Sequence, residues 1–124
     1  MKTKTRVLMV DDEEGILHFT RVGLNLLGYD VTTTTSGSEA LRLAKSEKFD
    51  ILLLDIVMSP MDGLEVLLEL RTFSQLPVIV LTAQSLIFKE ALKYGANDSL
   101  AKPYLPQDLV QKIQAVLKQN PSID

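Results

Sequence analysis

The stretch Asp50-Ile51-Leu52-Leu53-Leu54-Asp55 decides the fold: four apolar residues run without a polar break and end on an acid. A strand that is apolar at every position is buried on both faces, as strands of a parallel sheet covered by helices are. The run Pro77-Val78-Ile79-Val80-Leu81 has the same character. Working outward, five short runs rich in branched apolar residues, at 6–10, 30–34, 50–54, 77–81 and 97–101, alternate with five longer stretches of helical period. That alternation predicts an α/β fold: a doubly wound, five-stranded parallel sheet with five helices, its third and fourth strands central.

The first helix is expected over 13–27, with Ile16, Thr20, Gly23, Leu24 and Leu27 on its inner face and Gly28 closing it. Ser36-Gly37-Ser38-Glu39 and Asp62-Gly63-Leu64-Glu65 have capping-box spacing and open the second and third helices. The fourth is expected over 85–94, closed by Gly95. The fifth starts at Pro106 and turns Leu109, Ile113, Val116 and Leu117 inward. Leu105 stands where a capping Asp or Ser would normally help that helix begin. Leu86, Ile87 and Phe88 are consecutive, so at least one must face outward on a regular helix.

At 124 residues the chain is long enough to bury the core of one domain. It has no cysteine, which excludes thiolate catalysis and zinc–thiolate sites. A net charge of -3 argues against a surface built to neutralise nucleic-acid phosphates, so no direct nucleic-acid contact is expected. The basic start precedes only Val7-Leu8-Met9-Val10 before acids intervene. That is too short for a signal-peptide core or a membrane span, and a cytoplasmic location is expected. The domain is expected over 1–119, with 120–124 a tail or the start of a linker.

The chemistry gathers at the strand ends. In an open parallel sheet the C-terminal edge carries the site, and there the first strand ends in Asp11-Asp12 and the third in Asp55. The fourth ends in Thr82 and the fifth in Lys102-Pro103. An aspartate accepts a phosphoryl group when a divalent cation neutralises the incoming oxygens, and two or three acids with a backbone carbonyl are enough to hold magnesium. A hydroxyl and an ammonium then suit the remaining phosphoryl oxygens. Taken singly, Asp11 or Asp12 could cap the first helix, Thr82 the fourth, and Asp55 and Lys102 could be ordinary loop residues. Their joint occurrence at four strand ends argues for a site.

Val7-Leu8-Met9-Val10-Asp11-Asp12, Asp55 with Met58 and Met61-Asp62-Gly63, Leu81-Thr82-Ala83, Gly95-Ala96 and Lys102-Pro103 together resemble the receiver domain of two-component response regulators (CheY-like), over essentially the whole chain. The resemblance implies the flavodoxin-like strand order 2-1-3-4-5. It implies that Asp55 is the phosphoacceptor, taking phosphate from a histidine kinase or histidine phosphotransfer protein. Mg2+ would be held by Asp12 and Asp55 directly, by Asp11 partly through water, and by the backbone carbonyl of Val57. Thr82 would bond a phosphoryl oxygen, Lys102 would pair with the phosphate, and the Lys102-Pro103 bond would be cis. The usual output face, formed by the fourth helix, fifth strand and fifth helix, would serve a homodimer or an output domain.

The chain departs from the family pattern at several places. Family members usually carry an aromatic residue three positions before the site lysine, and here that switch position is Ser99. Tyr104 stands where the family often has Phe. The segment from Thr82 to Gly95 is short, and Ser59-Pro60 replaces a proline four residues beyond the phosphoacceptor. His18, the only histidine, is expected at the surface of the first helix. Two other readings compete. A haloacid-dehalogenase-type phosphatase needs a second acid two residues after the first, where Val57 stands; a pure interaction module would keep the fold without the switch. Dinucleotide binding lacks its glycines, since Asp11-Asp12-Glu13-Glu14 occupies their place.

Overall fold

The computed structural model describes residues 4–58 and 61–119. In chain order the elements are β1 (Arg6–Val10), α1 (Glu14–Leu26), β2 (Asp30–Thr34), α2 (Gly37–Ser46), β3 (Ile51–Asp55), α3 (Gly63–Arg71), β4 (Val78–Thr82), α4 (Ser85–Lys93), β5 (Asp98–Ala101) and α5 (Pro106–Gln119). The five strands form one parallel sheet in the order β2-β1-β3-β4-β5, as expected.

Alternation along each strand divides the core in two. Leu8, Val10, Leu52, Leu54, Val78 and Val80 face one way and pack under α2, α3 and α4. Val7, Met9, Ile51, Leu53, Ile79 and Leu81 face the other and pack under α1 and α5, where Leu17, Leu24, Leu109, Ile113 and Val116 meet them. Every residue of β3 and β4 is buried, which is why those runs carry no polar break. Because β1 and β3 are neighbours whose chains leave to opposite faces, a crevice opens between their C-terminal ends.

The helix ends follow local chemistry. Ser36 Oγ accepts the Glu39 N–H at 3.2 Å and Asp62 Oδ1 accepts the Glu65 N–H at 2.9 Å, so both expected caps form. Gly28 and Gly95 close α1 and α4 at φ values of 97° and 102°. Neither Asp11 nor Asp12 caps α1, where Glu13 takes the N-cap place without a side-chain bond. The expected inward turn of Leu27 is also corrected: it is 52% exposed, because it sits at the C-cap as the chain unwinds towards Gly28. Leu17 fills the inner face instead. In α4 the outward member of the apolar trio is Leu86, while Ile87 and Phe88 pack against the core. The proline shift at Ser59-Pro60 and the tail at 120–124 lie outside the described residues.

A tie that sequence gives no sign of joins α3 to the turn before β5. The half-buried Arg71 guanidinium donates to the carbonyls of Ser74, Leu76 and Gly95 and to Asn97 Oδ1, at 2.8 to 3.3 Å. Burial pushes its pKa down from the usual value. Arg71→Ala is expected to lower stability by about 2–3 kcal/mol, since three carbonyls lose a charged donor at once; the midpoint of urea unfolding measures it. Leu105→Ser should act in the opposite direction. Leu105 is exposed and its N–H donates to Asp108 Oδ2 at 3.0 Å, so a serine there completes a reciprocal cap and adds up to ~1 kcal/mol, read as a raised melting temperature.

Candidate functional site

Strand register assembles the site from residues far apart in sequence. Val10 pairs with Leu54 and Asp55 with Leu81, so Asp11, one step past β1, comes level with Asp55 at the end of β3. Thr82 pairs with Ala101, which places Lys102 one step past β5. One oxygen from each of Asp11, Asp12 and Asp55 lies within 4.8 Å of the others. Asp11 is fully buried and Asp55 nearly so, at 0% and 3% exposure, whereas Asp12 is open to solvent. Lys102 reaches both buried acids: Nζ is 2.8 Å from Asp11 Oδ2 and 3.3 Å from Asp55 Oδ1. The other oxygen of Asp11 accepts the Glu13 N–H at 2.9 Å, which fixes the carboxylate plane.

The return loop after β3 depends on Gly63. Its N–H donates to the Ile56 carbonyl at 2.8 Å, and a Cβ at this position would collide with the Asp55 carbonyl and Ile56 Cα. In sequence Gly63 opens a helix and belongs to the Met61-Asp62-Gly63 motif. Here it also sets the backbone that carries Asp55 and Val57, whose side chain is exposed. Thr82 is buried beside the site, and its Oγ1 accepts the Gln84 N–H at 3.0 Å. Thus Thr82 does not cap α4 itself, but holds the residue at the N-cap. Ser99 pairs with Val80, one turn of the pleat away from the Thr82 and Ala101 pair. The Lys102-Pro103 bond is cis, as the family resemblance implied.

Burial, and then the neighbouring charge of Asp11, push the Asp55 carboxyl up to about 6; Lys102 opposes this only in part. For Lys102 the largest single influence is burial, which lowers its pKa. The hydrogen bonds and charges of Asp11 and Asp55 outweigh it and hold the ammonium above its usual value. Two buried carboxylates therefore share one ammonium, with Asp12 beside them. This hard-oxygen donor set with excess negative charge fits a small divalent cation.

A sheet of this order with acids at the β1 and β3 ends and a lysine past β5 defines a class, and comparison with known proteins agrees. Residues 7–114 match the family model for the response regulator receiver domain, and the chain belongs to that family. It is 40% identical over 120 residues to the probable transcriptional regulator ycf27 of Guillardia theta, covering 95% of this chain and 47% of that protein. It is 36% identical to the alkaline phosphatase synthesis transcriptional regulatory protein PhoP of Bacillus subtilis, covering 93% and 49%. The chain thus spans about half the length of these relatives. Among solved structures, the chemotaxis response regulator CheY4 of Vibrio cholerae is 34% identical with a TM-score of 0.87, covering 93% of this chain and all of that one.

Of the residues expected from sequence, Asp11, Asp12, Asp55 and Lys102 come together directly, and Thr82 stands at the adjoining strand end. Two features escaped sequence reading: the direct seat of Lys102 on Asp11, and a hydrogen bond at 3.1 Å between the hydroxyls of Thr20 on α1 and Tyr104 past β5. The only available signal for the second was a polar residue on an otherwise apolar helix face.

The raised Asp55 pKa has a measurable consequence for stability. Between its ordinary value of 3.8 and about 6 the folded chain keeps a proton that the unfolded chain has released. Without a divalent cation, stability therefore falls as pH rises through this window, by as much as about 3 kcal/mol. Asp55→Asn cannot titrate. It should match the parent near pH 4 and exceed it in stability by pH 7, a difference that denaturant titration in EDTA at several pH values measures. Equal stability at both pH values would contradict the electrostatic reading.

Proposed function

We propose that Asp55 is a phosphoacceptor and that its phosphorylation switches what this signalling domain binds. The observation that carries the reading is a buried Asp55 flanked by Asp11, Asp12 and Lys102. An Asp55 oxygen attacks the phosphorus of a phosphohistidine on a histidine kinase or histidine phosphotransfer protein; the P–N bond breaks and the imidazole leaves with the electron pair. Asp11, Asp12 and Asp55, with the Val57 backbone carbonyl, would hold Mg2+, which when bound neutralises carboxylate and phosphoryl oxygens.

The chain's own residues do the rest. Lys102 moves its ammonium from the carboxylates to the phosphoryl oxygens, and the Thr82 hydroxyl donates to another. Phe19, Val22 and Leu26 make an exposed apolar stripe on α1, a surface suited to a helical phosphodonor. On α4, Leu86 and Leu92 are exposed, which supports a homodimer or output domain as the responding partner. Among the described residues no helix is long and apolar enough to cross a membrane, and we place the domain in the cytoplasm. Its working unit is residues 1–119, with 120–124 a tail or the start of a linker.

A second reading, an interaction module without phosphorylation, draws on Ser99 at the usual aromatic position. One experiment separates the two. Incubation with a small acyl phosphate and Mg2+ should give a labile mass gain of one phosphate, absent from Asp55→Asn and about tenfold slower or worse in Asp12→Asn or in EDTA. An unlabelled parent protein sinks the phosphoacceptor reading, and label retained by Asp55→Asn moves the acceptor elsewhere.

A further inference from the structure

Thr20 is fully buried on the inner face of α1, between Leu17 and Leu24, where an apolar residue would pack without needing a partner. A buried hydroxyl is costly unless bonded, and the partner of this one is the Tyr104 hydroxyl at 3.1 Å, 84 residues away in sequence and two past the site lysine. The Tyr104 ring packs against the α1 and α5 side of the core. Two residues further on, Pro106 lies directly against Gly23, so closely that a Cβ on Gly23 would clash with its ring. Thr20 and Gly23 are three apart and share one helix face. The segment from Lys102 to Pro106 is therefore laid across α1 at two points, one directional and polar, the other apolar.

That segment decides where Lys102 starts. Its backbone N–H donates to the Thr82 carbonyl at 3.1 Å, and its side chain must then reach Asp11 and Asp55 at once. A lysine stem is flexible, so the ammonium is only as well placed as the backbone that launches it. With the family's more usual Phe at 104, this polar tie would not exist. We propose that Thr20 and Tyr104 are positioning residues for Lys102, their hydroxyl pair holding the segment past β5 so that the ammonium meets the phosphoryl group at Asp55. This rests on the phosphoacceptor reading of Asp55.

The test compares Tyr104→Phe, Thr20→Val, Thr20→Ser and the double variant Tyr104→Phe/Thr20→Val, alone and with Lys102→Ala. The readouts are the maximal rate of labelling by a small acyl phosphate with Mg2+, the melting temperature, and deuterium exchange at the Lys102 amide. Each single loss of a hydroxyl should slow labelling roughly three- to tenfold, the range expected for one hydrogen bond. Thr20→Ser should restore the rate. The double variant leaves no hydroxyl unpaired; it should regain melting temperature while labelling stays slow and Lys102 exchange stays fast, a split that a merely structural role would not give. In the Lys102→Ala background Tyr104→Phe should add nothing. The proposal falls if the double variant labels at the parent rate, or if Tyr104→Phe slows labelling equally with and without Lys102. An unlabelled parent overturns the reading of Asp55 instead, and unchanged exchange at Lys102 in Tyr104→Phe then overturns this one as well.

Discussion

Two carboxylates buried side by side cannot both stay charged without a cation between or beside them, and much of this structure is arranged around that constraint. Parallel pairing of β1 with β3 puts Asp11 and Asp55 level at the sheet edge, and the core beneath them excludes water. Lys102 supplies one positive charge, bonded more closely to Asp11 than to Asp55. The remaining imbalance is visible in the high pKa of Asp55. A site so charged is unfavourable for the fold as it stands and suited to a divalent cation and a phosphoryl group. The stability to tolerate it comes from the buried apolar runs of β3 and β4 and the two helical layers.

Much of this was legible in the sequence because both period and punctuation were strong. The apolar runs located all five strands to within a residue at their ends, and strand-end residues named most of the site before any contact was visible. What could not be read depends on tertiary register. Leu27 has the right spacing for the α1 core face but falls where the helix ends. Arg71 reads as a favourable basic residue at a helix C-terminus, and only the fold brings Gly95 and Asn97 within reach. Gly63 carries a cap signal, yet its close approach to the Asp55 backbone follows from the return of the chain over the strand end. Lys102 at a strand end suggests a phosphate ligand; its seat on Asp11 depends on the course of a loop.

The structure also bears on how the site is linked to its surroundings without an aromatic at position 99. Thr82 is bonded to the N-cap residue of α4, and that helix has no side-chain cap of its own. At the other end of α4, Gly95 is held by Arg71. The two ends are therefore restrained by very different means: a single hydroxyl at the strand end beside the carboxylates, and a guanidinium with several acceptors remote from them. Ser99 pairs with Val80 in the register of β4 and β5.

The assembly of the site from four strand ends carries a thermodynamic consequence. Its members span positions 11 to 102, so no contiguous peptide contains the carboxylate set together with its lysine, and the unfolded chain has no comparable place for a cation. A divalent cation held there would be bound by the folded chain alone. Each tenfold rise in free cation above its dissociation constant then adds about 1.4 kcal/mol to the free energy of unfolding. With such a cation bound, the ionic composition around the domain would set its resistance to unfolding.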